Sequence, residues 1–306
     1  MIHTENKGEW FELTVPKNWQ GHTITKVFKE IWMAPKKQIH YLRMNKQVRL
    51  NGESANWEQE LNAHDKLQIQ LFIDIPMNLV PFYKDLNIIY EDSHLLVVNK
   101  PANMSTHPNS PEETDSLSNA VAYHLLAQGE ARKIKHIHRL DKDTTGAILF
   151  AKHDLMGSML DGMLEKREIK RTYLALVHGL LKQKKGEIHL PIGRDRHHPT
   201  RRRVSPSGQD AITHFEVLKK DIKKNTTLIK CSLDTGRTHQ IRVHLSHIGH
   251  PLVGDNLYGG QPIFLRPALH AVKMEFLHPF TMEEIVCHAP FLDEPPIFQE
   301  IDPYDL

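Results

Sequence analysis

Apolar positions change their period along this chain. Ile24, Val27, Phe28 and Ile31 recur at helical spacing, and Lys36 to Met44 carries Ile39 and Leu42 on one face. Gln47 to Leu50 then alternates into the turn Asn51-Gly52, and Lys66 to Phe72 alternates again. The pattern predicts two helices ahead of a small strand pair, a module over residues 10–73. Residues 74–85, with Pro76 and Pro81, keep no period and read as a linker. Past it, strand-like runs at Asn87 to Tyr90, Leu95 to Val98, Ala147 to Ala151, Tyr173 to Val177, Ile212 to Leu218, Thr227 to Leu233, Val272 to Phe276 and Ile285 to His288 outnumber the helical candidates. Those are Ser116 to Gln128, Asp154 to Lys166 and Arg237 to Ile248. Strands in runs with few helices between them predict an α+β fold with a mostly antiparallel sheet over 86–292.

Composition adds limits. A chain of 306 residues suits a small domain followed by a larger one. No apolar stretch reaches the roughly 20 residues needed to cross a bilayer, and the first residues lack a signal-peptide pattern, so no membrane contact and a cytoplasmic location are expected. Cys231 and Cys287 sit in apolar strand-like segments and read as buried free thiols. The net charge of +2 is uneven: Glu165 to Arg203 holds 12 Lys or Arg against 4 Asp or Glu. Residues 293–306 form an acidic tail that includes Asp293, Glu300 and Asp305, with no Lys or Arg. One region can therefore face phosphates while another solvates the fold. Arg201, Arg202 and Arg203, beside His197 and His198, read as an exposed loop suited to a phosphate backbone.

The densest chemistry is in His138-Arg139-Leu140-Asp141-Lys142-Asp143-Thr144-Thr145-Gly146. It sets a carboxylate between Arg139 and Lys142 in a glycine-closed loop ahead of an apolar strand, and flanking cations favour the ionised form. Such a carboxylate can attack or stabilise an electrophilic sugar carbon. On the residues alone, Asp141 reads more readily as a turn or capping residue.

This stretch resembles the signature of the RluA-type pseudouridine synthases, which turn uridine in RNA from an N-linked to a C-linked nucleoside. Further matches follow in order: Val97-Val98-Asn99-Lys100-Pro101-Ala102 with His107-Pro108, then Lys170-Arg171-Thr172-Tyr173, then Thr235-Gly236-Arg237-Thr238-His239-Gln240-Ile241-Arg242, and Gly249-His250-Pro251-Leu252-Val253-Gly254-Asp255. Asn103 stands where that family often has glycine and Thr145 where it often has serine; Asn tolerates the left-handed conformation and Thr keeps the hydroxyl. The resemblance implies a bent mixed sheet with the uridine in a central cleft. It implies Asp141 as the catalytic carboxylate, Arg242 as its basic partner with Arg237 as the rival, and Tyr173 as the aromatic on the uracil. Arg139 would fill the gap left by the flipped base, and His138 would shape the loop. The first module resembles the alpha-L RNA-binding domain named after the fourth protein of the small ribosomal subunit, with Lys36, Lys37, Arg43 and Lys46 as phosphate contacts.

The partner implied is structured RNA, ribosomal in preference to transfer RNA, because an appended RNA-binding module suits a large folded substrate. An RNA-binding assembly factor and a nucleoside hydrolase are the competing readings. His136-Ile137-His138 and His197-His198 lack the company a metal site needs, and the glycines follow no phosphate-loop spacing, so neither metal nor nucleotide cofactor is expected. No heptad run forces a dimer, and a monomer is expected.

Overall fold

The computed structural model describes residues 2–77, 79–298 and 301–306; Glu300 of the acidic tail lies outside them. The first module is a five-stranded sheet rather than a strand pair. Strands β1 (Thr4–Lys7), β2 (Trp10–Thr14), β3 (Val48–Leu50), β4 (Glu53–Ser54) and β5 (Lys66–Gln70) lie in the order β1-β2-β5-β3-β4. The strands β1 and β2 went unread because Thr-Glu-Asn-Lys is an all-polar edge and Trp-Phe-Glu-Leu-Thr does not alternate. Helix α1 (Ile24–Lys26) runs on as a wider-wound turn over Val27–Ile31, and α2 (Lys36–Met44) buries Ile39 and Leu42. Asn51 and Gly52 both take positive φ, 52° and 88°, the geometry of the two-residue turn joining β3 to β4.

The larger sheet holds β6 (Asn87–Glu91), β7 (Leu95–Lys100), β8 (Lys135–His136), β9 (Thr145–Ala151), β10 (Lys170–His178), β11 (Lys185–His189), β14 (Ile212–Asp221), β15 (Thr226–Leu233), β16 (Leu269–Leu277) and β17 (Glu284–His288). Between β11 and β14, the strands β12 (Ile192–Arg194) and β13 (Arg202–Val204) pair with each other. Arg202 and Arg203 are therefore strand residues, a correction to the loop expected there; Arg201 stands just ahead of them. The order is β11-β14-β15-β10-β16-β9-β7-β6, with β8 on β9 and β17 on β16. The strand β9 meets β16 in parallel, His270 opposite Thr145 and Ala271 opposite Gly146; every other strand pairing among the described residues is antiparallel.

Three helices support this sheet. Helix α3 (Leu117–Ala127) opens on a capping box between Ser116 and Asn119 and buries Leu117, Val121 and Leu125 at four-residue spacing. Helix α4 (Asp154–Glu165) is capped by His153, whose Nδ1 accepts the Met156 N–H at 3.1 Å. Helix α5 (Gln240–His247) begins three residues later than its pattern suggests, because His239 takes the left-handed conformation, φ 59°.

The two sheets share one core. Phe11 and Trp32 pack on Phe280 at 4.5 and 5.4 Å between ring centroids, all three fully buried, and each such aromatic contributes roughly 2–3 kcal/mol by leaving water. The Ile2 N–H donates to Thr281 O at 3.0 Å and Asn6 Nδ2 to Ser93 Oγ at 2.7 Å across the same boundary. The aperiodic 74–85 segment is held down as well: the Ile75 N–H donates to Ala131 O, the Phe82 N–H to Asn119 O, and Asn119 Nδ2 to Val80 O. The acidic C-terminal segment does more than solvate the fold. Asp293 accepts from Nε and Nη2 of Arg266 at 2.7 and 2.6 Å, and Ile297 and Phe298 are buried against Leu174 and Val272.

Candidate active site

Asp141 lies in the turn between β8 and β9. The Thr144 N–H donates to Asp141 O at 3.1 Å, closing the turn, and Gly146 lets the next strand pass close to β16. At φ +115°, a Cβ on Gly146 would stand 2.3 Å from Ala271 O, so the residue has to be glycine. Thr145 anchors the same place. His270 Nε2–H donates to Ala289 O at 2.9 Å, leaving Nδ1 to accept the Thr145 hydroxyl at 2.7 Å; the hydroxyl that Thr shares with Ser is thus in use.

The loop after β7 braces the turn from below. Lys100 is fully buried and its ammonium donates to the carbonyls of Pro101, Met104 and Lys142 at 2.8, 2.8 and 2.9 Å. Burial draws Lys100 from its ordinary 10.5 down to about 7, against the pull of Asp141 and Asp143. Thr106 Oγ1 donates to Leu140 O at 2.9 Å and accepts the Leu140 N–H at 3.1 Å. Asn103 takes φ 56°, the left-handed conformation that its side chain tolerates.

Helix α5 supplies the cation. Arg242 Nη1 donates to Asp141 Oδ2 at 3.2 Å, while its Nε and Nη2 grip Asp255 at 2.7 and 2.9 Å. Burial works against the Arg242 charge, but the hydrogen bonds to Asp255 and the charge of Asp141 outweigh it and raise its pKa. The Arg242 guanidinium lies 5.0 Å from the centre of the Tyr258 ring, and the Tyr258 hydroxyl meets His239 Nδ1 at 2.8 Å and accepts the Arg202 N–H at 2.9 Å. His239 Nε2 stands 3.9 Å from Asp141 Oδ2, and burial lowers its pKa below the ordinary value although Asp141 pulls the other way. The Asp141 side chain keeps 17% of its surface exposed and Asp255 1%, so of the two carboxylates only Asp141 opens to solvent.

The structure distributes the remaining residues unevenly. Arg139 is exposed at the rim and Lys142 points outward, so the cation on Asp141 is neither of them but Arg242. Arg237 is turned away: its Nε donates to Asp210 O at 2.9 Å and its N–H to the Gln240 side chain. His138 is buried behind the loop, with Nε2 accepting the Leu149 N–H at 3.3 Å; burial, then the charge of Arg171, keeps it neutral. Tyr173 is buried where β10 changes register against β16, and burial raises its hydroxyl pKa. Lys36, Lys37, Arg43 and Lys46 are exposed on or just after α2, with Arg43 paired to Glu58, and Arg201 pairs with Asp195. The roles of Asp255, Tyr258, His239, Lys100 and Thr106 were not read from the sequence. Four of them stood inside or at the edge of the quoted motifs, but which of them meet depends on the fold.

An α+β sheet with a partly open aspartate tied to a buried arginine–aspartate pair presents a candidate enzyme site built around one carboxylate. A model of the RNA pseudouridylate synthase family matches residues 94–247, and one of the RluD ribosomal pseudouridine synthase N-terminal domain matches residues 11–67. The chain is 47% identical over 286 residues to an uncharacterized RNA pseudouridine synthase of Bacillus subtilis (strain 168), YhcT, covering 93% of this chain and 95% of that one. It is 37% identical over 265 residues to the ribosomal large subunit pseudouridine synthase D of Haemophilus ducreyi (strain 35000HP / ATCC 700724), covering 80% of each. The solved structure of human RNA pseudouridylate synthase domain containing 1 superposes with a TM-score of 0.56 at 26% identity, over 67% of this chain and 83% of that one. The chain belongs to the RNA pseudouridylate synthase family, and is an isomerase acting on RNA.

Proposed function

We propose that Asp141 carries out the isomerisation and that the substrate is a uridine of large-subunit ribosomal RNA. The observation that carries this reading is the Asp141–Arg242–Asp255 chain, in which a buried arginine holds a carboxylate that is partly open to solvent. A base stacked in a helix cannot be rotated, so the nucleotide is first extruded. The exposed Arg139 guanidinium beside the loop suits the space it leaves. The bond between N1 and the ribose then breaks, the uracil turns, and C5 joins the same sugar carbon with loss of its proton to solvent. Attack on that carbon and removal of a neighbouring sugar proton both require Asp141 ionised, and Arg242 favours that form by charge and by one hydrogen bond. Tyr173, with its hydroxyl kept protonated, serves as a flat apolar neighbour and hydrogen-bond donor to the uracil. No electrons and no outside group are transferred, so the reaction as written calls for no cofactor. The α2 cations and Arg201–Arg203 would grip phosphates. The ribosomal preference rests on the match to the RluD N-terminal domain and on the named Haemophilus relative.

The test is tritium release from RNA labelled at uridine C5, with unmodified large-subunit ribosomal RNA and transfer RNA as separate substrates. Release from the ribosomal RNA by the intact protein, and none by Asp141→Asn, is the expected result. Release confined to transfer RNA would overturn the substrate, and undiminished release by Asp141→Asn would overturn the residue.

A further inference from the structure

We propose that the stacked rings of His107 and His136 form a platform for an unpaired RNA base next to the target uridine, on a groove that meets, at Lys135, a second groove beside the N-terminal module. This inference rests on the reading of Asp141 as the reacting carboxylate. The two rings lie parallel, 9° between planes and 4.6 Å between centroids. Both backbones are fixed to the Asp141 turn: His107 follows Thr106, which is hydrogen-bonded twice to Leu140, and His136 pairs with Phe150 in β8 and β9. Both rings are half-buried. Both line a groove of about 670 Å³ whose wall is largely apolar, with Leu79, Pro108 and Ile134, and which also holds Asn109, Ser110 and Glu113.

The pair is chemically suited to a base. Burial, then the neighbouring imidazole and the charge of Arg139, push His136 down to about 4, and burial followed by Arg139 lowers His107. At neutral pH the platform is an uncharged aromatic surface beside an arginine, and aromatic rings and guanidinium planes are the groups on which unpaired RNA bases stack. Two neutral imidazoles stacked on each other would serve a protein core equally well, but a core pair is fully enclosed, and this one borders a groove whose apolar wall of Leu79, Pro108 and Ile134 suits the face of a base.

The groove also has a direction. Lys135, next to His136, lines a second groove of about 570 Å³ between the two modules, together with Lys133, Lys37 and Tyr41. Lys133 and Lys135 are paired with Asp154 and Asp161, so positive charge beyond those pairs comes from Lys37, which is exposed on α2 with the Tyr41 ring one turn further on. A strand leaving the target uridine would pass the histidine platform and reach α2 without leaving the protein surface, and the shared core holds the two ends at a fixed spacing.

The experiment measures steady-state tritium release from a C5-labelled large-subunit ribosomal RNA transcript, with filter binding of the same transcript, for His107→Ala, His136→Ala, the double variant, and His107→Phe and His136→Phe. Loss of one base–aromatic stack should raise KM and the dissociation constant about tenfold in each Ala variant, with kcat moving less than about threefold. Stacking needs a flat ring and no ring nitrogen, so the Phe variants should return both values to within about threefold of the parent. Unchanged KM and binding in the double Ala variant would overturn the platform, as would Phe variants that melt normally yet bind as poorly as the Ala variants. Asp141→Asn separates this from the reading beneath it: if that variant still releases tritium, the carboxylate is misassigned, while the binding series continues to report on the platform by itself.

Discussion

Two arginines in this molecule each grip an aspartate with Nε and Nη2, and only one of them belongs to the proposed reacting site. Arg266 holds Asp293 at 2.7 and 2.6 Å and spends Nη1 on the carbonyls of Pro267 and Leu269, both at 2.8 Å. One cation meets one carboxylate and its other donors meet backbone, so the unit is closed. Arg242 holds Asp255 in the same way but turns Nη1 to a second carboxylate, Asp141, at 3.2 Å. Two carboxylates share one cation, and the more exposed of them is Asp141. The same fork therefore acts as a structural clamp in one place and as a support for a reactive group in the other, and the difference is whether its last donor faces backbone or a carboxylate open to solvent.

The sharpest way to break that comparison is to remove one charge from each unit. Asp141→Asn should lower kcat by more than about 1000-fold while the melting temperature holds, as expected when a reacting group is lost from a site whose supporting shell stays intact. Asp293→Asn should do the reverse: it leaves Arg266 buried beside a neutral amide and costs about 3 kcal/mol in urea unfolding, with kcat per folded molecule unchanged. Parallel loss of activity in both variants would show that the C-terminal clamp positions the site after all.

Arg242→Lys tests the fork itself. A lysine is a point charge and cannot reach both carboxylates with fixed geometry, so kcat should fall about 100-fold while transcript binding changes little. Asp255→Asn keeps the guanidinium but weakens its grip, and single-turnover rates should fall about tenfold. If Asp255→Asn were as damaging as Asp141→Asn, the two carboxylates would not divide into support and reactant.

The sequence shows one half of this arrangement better than the other. The loop of Asp141 is legible because it is local, with the glycine after it and the apolar strand that follows marking a loop resting on sheet, while the choice of Asp141 as the reacting group comes from the family resemblance. Its cation was placed first on Arg139 and Lys142, which are adjacent in the chain, yet in the folded turn these two side chains face outward while Arg242 arrives from a helix a hundred residues on. The choice between Arg237 and Arg242 also turns on tertiary structure, since Gln240 caps the Arg237 N–H and Asp210 takes its guanidinium. Eight of the ten strands of the large sheet are readable from runs of apolar residues; Lys135–His136 and Lys185–His189 carry no such run. The short strands Thr4–Lys7 and Arg202–Val204 are not readable either, because polar or charged side chains on edge strands carry no alternation.

A third buried cation sharpens the contrast further and carries the smallest expected effect. Lys100 meets no carboxylate at hydrogen-bond distance among the described residues; its three donors all go to carbonyls, one of them that of Lys142 in the Asp141 turn. Asp141 and Asp143 offset burial only in part from beyond hydrogen-bond distance, and its folded-state pKa falls to about 7 from 10.5. Between those values the unfolded chain holds a proton that the native one has lost, so this group makes stability rise with pH from 7 towards 10, the opposite of a lysine held by a partner. Urea unfolding at pH 7 and pH 9 should show that rise in the parent and a flatter profile in Lys100→Met. Catalysis should move the other way, because a neutral amine has two donors for three carbonyls and must release one. A decline in kcat by about twofold to threefold above pH 8, absent in a Lys100→Arg variant that remains charged, is the expected sign of that release at the Lys142 carbonyl. Equal pH slopes for the parent and Lys100→Met would mean that the carbonyl cage by itself holds the ammonium charged, and that a buried cation here needs no carboxylate at all.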